Sequence, residues 1–144
     1  MKKLLFILSV ICTIGLSSCE IETSKNGDFD GFWHLVSIDT LSNSRQADLS
    51  QLTIFWAVQA NLMQLRGTEQ ELYVRFRHEG AELTLYNPHL RDREKEDPEV
   101  GDEYMHFLYP YGINAKEEHF SVIKLNSDEM ILQSATLRLH FYKM

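Results

Sequence analysis

The chain has 144 residues, with 21 Asp and Glu against 14 Lys and Arg, and its formal net charge is −7. This length suits one domain with a hydrophobic core of its own. The acidic balance, with no basic stripe carrying interleaved aromatic residues, argues against nucleic acid as a partner. The sequence contains no internal repeat and no low-complexity segment.

The N-terminus has the features of a bacterial export signal. Lys2 and Lys3 precede an uncharged, mostly apolar run over residues 4–16. This run is too short to span a bilayer, because a spanning helix needs about 20 residues. The following Leu-Ser-Ser-Cys, which ends at Cys19, resembles the lipobox of bacterial lipoproteins, in which the Cys becomes the lipidated first residue of the mature protein. The alternative is an ordinary signal peptide that is cleaved elsewhere, with Cys19 as a bystander.

A lipobox assigns separate roles to the first segments. It implies that residues 1–18 are a lipoprotein signal peptide and that the polar residues 19–28 form a lipid-anchored tether. The expected location is the envelope of a Gram-negative bacterium, with the acyl chains of Cys19 in the outer membrane. Without residues 1–18, 12 Lys and Arg remain against 21 Asp and Glu, a net charge of −9. Anionic lipid would repel such a domain, so Cys19 has to provide the attachment to the membrane.

The rest of the chain has the two-residue hydrophobic period of β-strands. The even-numbered positions of residues 52–62 are apolar, and so are Leu72, Val74 and Phe76, which puts one face of each strand in the core. The predicted strands are residues 31–39, 52–58, 59–66, 72–79, 82–87, 104–109, 118–125 with 129–134, and 136–143. Short antiparallel strands with tight turns indicate a meander that closes as a barrel, or a sandwich.

Three segments are ambiguous or break this pattern. Residues 50–66 also place apolar side chains at helical spacing, but their β-branched and aromatic residues favour strands. Residues 41–51 are predicted to be a polar connection with room for a turn of helix. Residues 87–103 hold two prolines and a dense mixture of charges, so we expect a long surface loop there rather than a buried strand.

The first predicted strand opens with Gly-Phe-Trp at residues 31–33. This Gly-x-Trp element and the terminal Leu-Arg-Leu-His-Phe-Tyr-Lys at residues 137–143 resemble the lipocalin-like, calycin-type lipoproteins of Bacteroidetes. The resemblance implies that residues 29–144 form one all-β domain, a single up-and-down antiparallel β-barrel of about eight strands with an interior pocket. It also implies that an Arg of the last strand packs on the Trp, and Arg138 is the candidate.

The function expected of such a barrel is the binding of a small, largely apolar ligand in its interior. The aromatic residues expected to line the pocket are Trp33, Trp56, Phe76 and Phe107. Tyr109 and Tyr111, beyond a strand end, are expected at the rim as contacts or as a lid. The alternative is that aromatic rings fill the interior, since an eight-stranded barrel is just wide enough for side chains. The protein would then be a structural or interaction lipoprotein without a ligand.

The sequence contains no recognisable catalytic or metal-binding motif. Its six histidines form neither H-x-x-x-H nor H-E-x-x-H, the charged loop lacks the order of a calcium loop, and no G-x-S-x-G occurs. We therefore expect neither an enzyme nor a requirement for a metal or cofactor. A pair of carboxylates that meets only in three dimensions stays open as a route to glycoside chemistry.

Overall fold

The computed structural model describes residues 25–144, so the predicted signal peptide, Cys19 and most of the predicted tether lie outside the described residues. This part of the chain contains nine β-strands and four short 3₁₀ helices. The strands are β1 (Gly31–Thr40), β2 (Arg45–Asp48), β3 (Phe55–Gln59), β4 (Leu62–Arg66), β5 (Leu72–Glu79), β6 (Glu82–Leu90), β7 (Glu118–Leu125), β8 (Glu129–Gln133) and β9 (Leu137–Lys143). The 3₁₀ helices are Gly27–Phe29, Arg93–Lys95, Asp102–Phe107 and Tyr109–Tyr111. Within this described part, no helix has the length and apolarity needed to cross a membrane.

Eight of the strands close into an antiparallel barrel. β1 and β3 to β9 follow one another around the ring, and β9 pairs back with β1. This seam runs from Trp33 opposite Lys143 to Thr40 opposite Leu137. The predicted single up-and-down antiparallel barrel of eight strands is therefore confirmed, and the sandwich is excluded.

The strand predicted at residues 104–109 is wrong. A 3₁₀ helix, Asp102–Phe107, lies there instead, because Tyr104, Leu108 and Tyr111 recur at spacings of four and three residues, a helical period. Residues 118–134, predicted as one unit of the ring, form two strands, β7 and β8, which pair as a hairpin. The second strand of this hairpin takes the place of the strand predicted at residues 104–109, so the ring still has eight strands.

Three boundaries also differ from the prediction. The connection at residues 41–51 contains the exposed strand β2, which pairs with the second half of β1. The strand predicted from residue 52 begins only at Phe55. The predicted loop at 87–103 starts late, because β6 continues to Leu90 through Pro88. A bulge makes this possible: the register with β5 shifts there, so the missing N–H of the proline is tolerated.

The inward rows of the eight strands form one hydrophobic core. The ring of Trp56 packs edge-on against Phe141, 4.8 Å away between centroids, and against Phe120, 5.9 Å away. Phe29, in the first 3₁₀ helix, packs on Phe76 with centroids 5.2 Å apart. We call the end of the barrel that holds Phe29, the start of β1 and the end of β9 the closed end, and the opposite end the mouth.

Residues 91–117, between β6 and β7, cover the mouth, and we call them the cap. Leu108, Tyr111 and Ile113 of the cap are buried. A Cβ added to Gly112 would lie 2.5 Å from a methyl carbon of Leu139 on β9, so the cap rests directly on the barrel core. Apolar side chains of the cap therefore complete the core at this end.

Gly67, in the turn between β4 and β5, lets two backbone segments approach each other closely at the mouth. Its φ is +104°, and an added Cβ would lie 1.7 Å from the Thr53 carbonyl oxygen. We expect Gly67→Ala to lower the free energy of unfolding by about 3 kcal/mol or more, since backbone must move. Gly80→Ala is the control: Gly80 also has positive φ, but its Cβ would meet nothing within 4 Å, so the loss should be only about 1–2 kcal/mol. Urea unfolding measures both, and equal losses would contradict the close contact.

Candidate functional site

Two of the four predicted pocket residues meet inside the barrel. Trp33 and Trp56 lie opposite each other on β1 and β3, and neither exposes any surface. Phe76, on β5, is 8% exposed and belongs to the same core. Phe107 is a residue of the cap, not of the barrel wall, because its segment is a 3₁₀ helix. It therefore lies on a different element from the other three.

Side chains fill the interior of the barrel. The residues of the ring with no exposed surface come from seven of its eight strands. They are Trp33, Leu35, Trp56, Met63, Leu65, Leu72, Leu83, Met130, Leu132, Leu139 and Phe141. A cavity large enough for water would give its walls some exposed area, so no ligand-sized cavity borders these side chains.

One polar atom in this core has no partner. Trp33 Nε1 donates a hydrogen bond to the Phe29 carbonyl oxygen at 2.8 Å. Trp56 Nε1 is equally buried, but no acceptor for it exists among residues 25–144. Such an unpaired donor costs about 1–3 kcal/mol. The Trp56 N–H is thus a point in the core where an added acceptor would gain a hydrogen bond.

The two predicted rim residues occupy different environments in the cap. Tyr109 is 52% exposed at the surface, whereas Tyr111 is fully buried. The Tyr111 hydroxyl lies 2.9 Å from Thr68 Oγ1 and donates to the Gln70 carbonyl oxygen at 3.1 Å. Burial raises the pKa of Tyr111 above its ordinary value of 10.0. Tyr111 therefore joins the cap to the turn between β4 and β5 rather than forming an open rim.

The cation on the Gly-x-Trp element is a Lys, and the prediction that Arg138 packs on the Trp is wrong. Arg138 donates to Gln133 Oε1 at 2.9 and 2.6 Å. Lys143, at the end of β9, places its Nζ 4.8 Å from the Trp33 ring centroid. The strand register explains why Lys143 instead of Arg138 contacts Trp33, because Lys143 lies opposite Trp33 across the seam.

The outer face of β4, β5 and β6 carries an open groove of 580 Å³, which we call the outer groove. Its lining residues are Leu62, Tyr73, Arg75, Asn87, His89, Arg93 and Asp97. The bulge in β6 shapes this region: Asn87 has a φ of +53°, and the register shifts between Tyr73 and Arg75. Bulges bend a strand and redirect its side chains, and they are frequent beside functional sites.

The outer groove holds two cations without partners. The guanidinium groups of Arg75 and Arg93 form no ion pair or hydrogen bond with any residue of the described range 25–144. Neighbouring arginines differ, since Arg91 binds Glu71 and Arg77 lies 3.5 Å from Glu117. Asp97 supplies the one negative charge among the seven lining residues. The groove lining therefore has a formal charge of +1 on a chain of net charge −7.

His89 adds a ring nitrogen of fixed role to the outer groove. Its Nδ1 lies 2.9 Å from the Asn87 carbonyl oxygen, which can only accept, so Nδ1 carries the proton. Nε2 is then the acceptor nitrogen of the neutral ring and a donor in the charged ring. The hydrogen bond between His89 and Asn87 thus ties the ring orientation to the bulge.

A second groove, of 600 Å³, adjoins the outer groove and shares Leu62 and Tyr73 with it. We call it the amide groove, after the side chains of Gln59, Asn61 and Gln64 that line it together with Phe32. Sequence reasoning missed both grooves. Alternation places Gln59 and Asn61 on the outer face but assigns Leu62 to the core, and only the strand register shows which side chains share a groove.

Surface ion pairs account for the shifted pKa values of the cap's charged groups. Lys116 Nζ lies 2.8 Å from Asp102 Oδ1, and this hydrogen bond lowers the pKa of Asp102 and raises that of Lys116. Both side chains are exposed, so solvent screens the pair. Among the described residues, no three His, Cys, Asp or Glu side chains are placed to hold one metal ion.

Tyr111→Phe tests the link between the cap and the barrel. We expect it to lower the free energy of unfolding at pH 7 by about 1 kcal/mol, through the lost hydrogen bonds. Because the pKa of Tyr111 is raised on folding, its contribution is complete below about pH 10 and declines as pH rises through the folded value. The variant should therefore lose less stability than the wild type between pH 9 and 11 in urea unfolding. Tyr109→Phe, at an exposed position, is the control, and an identical alkaline loss in both variants would contradict the role of Tyr111.

Comparisons with known proteins agree with this fold. A family model described as a lipocalin-like domain matches residues 14–144, whereas no curated protein matches the chain. Among solved structures, the chain is similar to a lipocalin-like protein from Bacteroides uniformis ATCC 8492, with 17% identity, 82% of this chain and 100% of that chain covered, and a TM-score of 0.59. It is also similar to an uncharacterized protein from Bacteroides eggerthii DSM 20697, with 19% identity, 80% and 98% covered, and a TM-score of 0.52. The predicted resemblance is thereby confirmed, and the chain belongs to the family of lipocalin-like domains.

Proposed function

We propose that this protein is an envelope-anchored lipoprotein whose barrel is a rigid scaffold that binds its partner through the outer surface. The observation that carries the proposal is the filled interior, in which Trp33, Trp56 and the residues around them leave no water-sized space. Burial of Tyr111 and Leu108 supports it, because the cap seals the mouth with side chains. The proposal assigns no catalytic step and no cofactor to the barrel.

The position of the chain entry supports an orientation for the anchored domain. Gly27 and Phe29 lie at the closed end, where the described chain enters the barrel. Gly27 follows Cys19 by eight residue steps, and an extended chain spans at most about 3.5 Å per step, so the closed end would stay within about 30 Å of a lipidated Cys19. The closed end would then be the part of the barrel tied nearest to the membrane, and the mouth and the cap would lie at the opposite end.

Cys19→Ser tests the anchor. If Cys19 carries the acyl chains, the variant should incorporate no radiolabelled palmitate, because it lacks the sulfur to which the lipid would be attached. Cys12→Ser is the matched control: Cys12 lies in the predicted signal peptide, so labelling should not change. Palmitate labelling of the Cys19→Ser variant would contradict the proposal.

A second candidate function is the binding of a small apolar ligand in the interior, and one observation favours it. The buried Trp56 N–H has no acceptor within the described part of the chain, and a ligand oxygen could supply one. Binding would require the core around Trp56, Phe120 and Phe141 to open. The two candidates therefore differ in whether the barrel core holds a foreign molecule.

Native mass spectrometry of the full-length protein, purified in detergent from its own cells, separates the candidates. For a filled barrel we expect only the mass of the acylated polypeptide. An apolar adduct that is weakened at least tenfold in Trp56→Phe would contradict the filled barrel and establish the interior ligand. In the absence of an adduct, Trp56→Phe should raise the free energy of unfolding or leave it within about 1 kcal/mol, because it removes an unpaired buried donor.

A further inference from the structure

We propose that the outer groove and the amide groove together bind an acidic oligosaccharide, with a sugar carboxylate held by Arg75 and Arg93. This inference goes beyond the scaffold function and does not depend on lipidation or on the state of the barrel interior. The two grooves meet at Leu62 and Tyr73. With volumes of 580 and 600 Å³, each is within the range of about 300–1,000 Å³ typical of ligand sites.

The net positive charge of its lining residues makes an anion the expected ligand of the outer groove. Arg75 comes from β5 and Arg93 from the cap, and both line the same groove with guanidinium groups that have no partner in the described chain. A guanidinium presents a planar fork of donors that matches the two oxygens of a carboxylate. Because the whole chain is acidic, with a net charge of −7, an anion would meet repulsion over most of the surface and attraction here.

The other lining groups suit the ring and hydroxyl groups of sugars. Tyr73 is a partly exposed aromatic residue that lines both grooves, and an aromatic face can pack against the C–H face of a sugar ring. The amides of Gln59 and Asn61 each offer a donor group and an acceptor oxygen, as hydroxyl groups require. One groove therefore offers carboxylate recognition, and the other offers hydroxyl recognition.

The local backbone supports a preformed site in the outer groove. Asn87 holds a left-handed conformation, with φ +53°, in the middle of β6. Its carbonyl oxygen fixes the His89 ring through Nδ1, which leaves Nε2 for another partner. Backbone conformations of this kind persist where the surrounding structure enforces them, often beside binding sites. Binding would thus need little rearrangement of β6.

Calorimetric titration of the full-length protein in detergent tests the proposal with trigalacturonic acid as the probe. Maltotriose, a neutral trisaccharide, and D-galacturonic acid, the monomer, serve as comparisons. We expect the acidic trisaccharide to bind more tightly than both, and its affinity to fall with added salt. Arg75→Gln with Arg93→Gln should weaken binding roughly 10- to 100-fold through loss of charge-assisted hydrogen bonds. Arg45→Gln, the same substitution made once at exposed β2, should leave affinity unchanged.

Each comparison has an outcome that overturns part or all of the inference. No binding of trigalacturonic acid, equal binding of maltotriose, or an unchanged affinity in the Arg75 and Arg93 double variant would overturn the site. Equal affinity for the monomer would overturn the oligosaccharide and indicate a free sugar acid. Asn61→Ala, at an exposed position in the amide groove, should weaken the trisaccharide and not the monomer. The mass-spectrometric result on the barrel interior is independent of all these outcomes.

Discussion

The pairing of β1 with β9 is the constraint on which the rest of the structure depends. Without this seam the sheet would end in two open edges, and its apolar face would be open to water. The seam ends at the closed end, where the Lys143 side chain crosses the sheet. Lys143 Nζ lies over the Trp33 ring and donates to the Asp28 carbonyl oxygen at 2.8 Å. Gly31 makes room, because a Cβ there would lie 3.1 Å from the Lys143 stem.

Because the barrel closes with eight strands, its inner and outer surfaces have different roles. A ring of eight strands is just wide enough for side chains to fill, and here Trp33, Trp56 and Phe141 fill it. The cap completes this core at the mouth, as Phe29 does at the closed end. The inward positions are thereby used for stability, and the outward positions remain available to recognise other molecules.

The alternation of apolar residues was sufficient to predict an antiparallel meander, and the resemblance to lipocalin-like lipoproteins favoured the barrel over the sandwich. The failures of the alternation have identifiable causes. If the alternation continued without a break, the Leu62 side chain would point inward. Ala60, however, adopts a φ of +54° in a tight turn. The phase therefore changes, and Met63 and Leu65 face the core. In the cap, the residues that complete the core at the mouth follow a helical spacing, whereas the sequence analysis predicts a strand there.

The grooves could not be predicted, because they depend on register. Arg75 lies beside Leu62 and near His89 only because β4, β5 and β6 pair with particular offsets, and the bulge at Asn87 changes one of these offsets. Arg93 reaches the same groove from the cap, whose path no periodicity describes. Lys143 illustrates the same limit, since the residue opposite Trp33 follows from the seam and not from the spacing of charges.

Binding inside the barrel and binding on its outer surface differ in the free energy needed to rearrange the fold. Opening about 300 Å³, a small ligand site, costs about 7 kcal/mol at roughly 24 cal/mol per Å³ of cavity. This is comparable with the whole folding free energy of a typical domain, about 5–15 kcal/mol. A hydrogen bond to the Trp56 N–H offsets about 1–3 kcal/mol of it. The outer groove is already open, so interactions made there are not reduced by such a rearrangement, and the energetics favour recognition on the outside of this barrel.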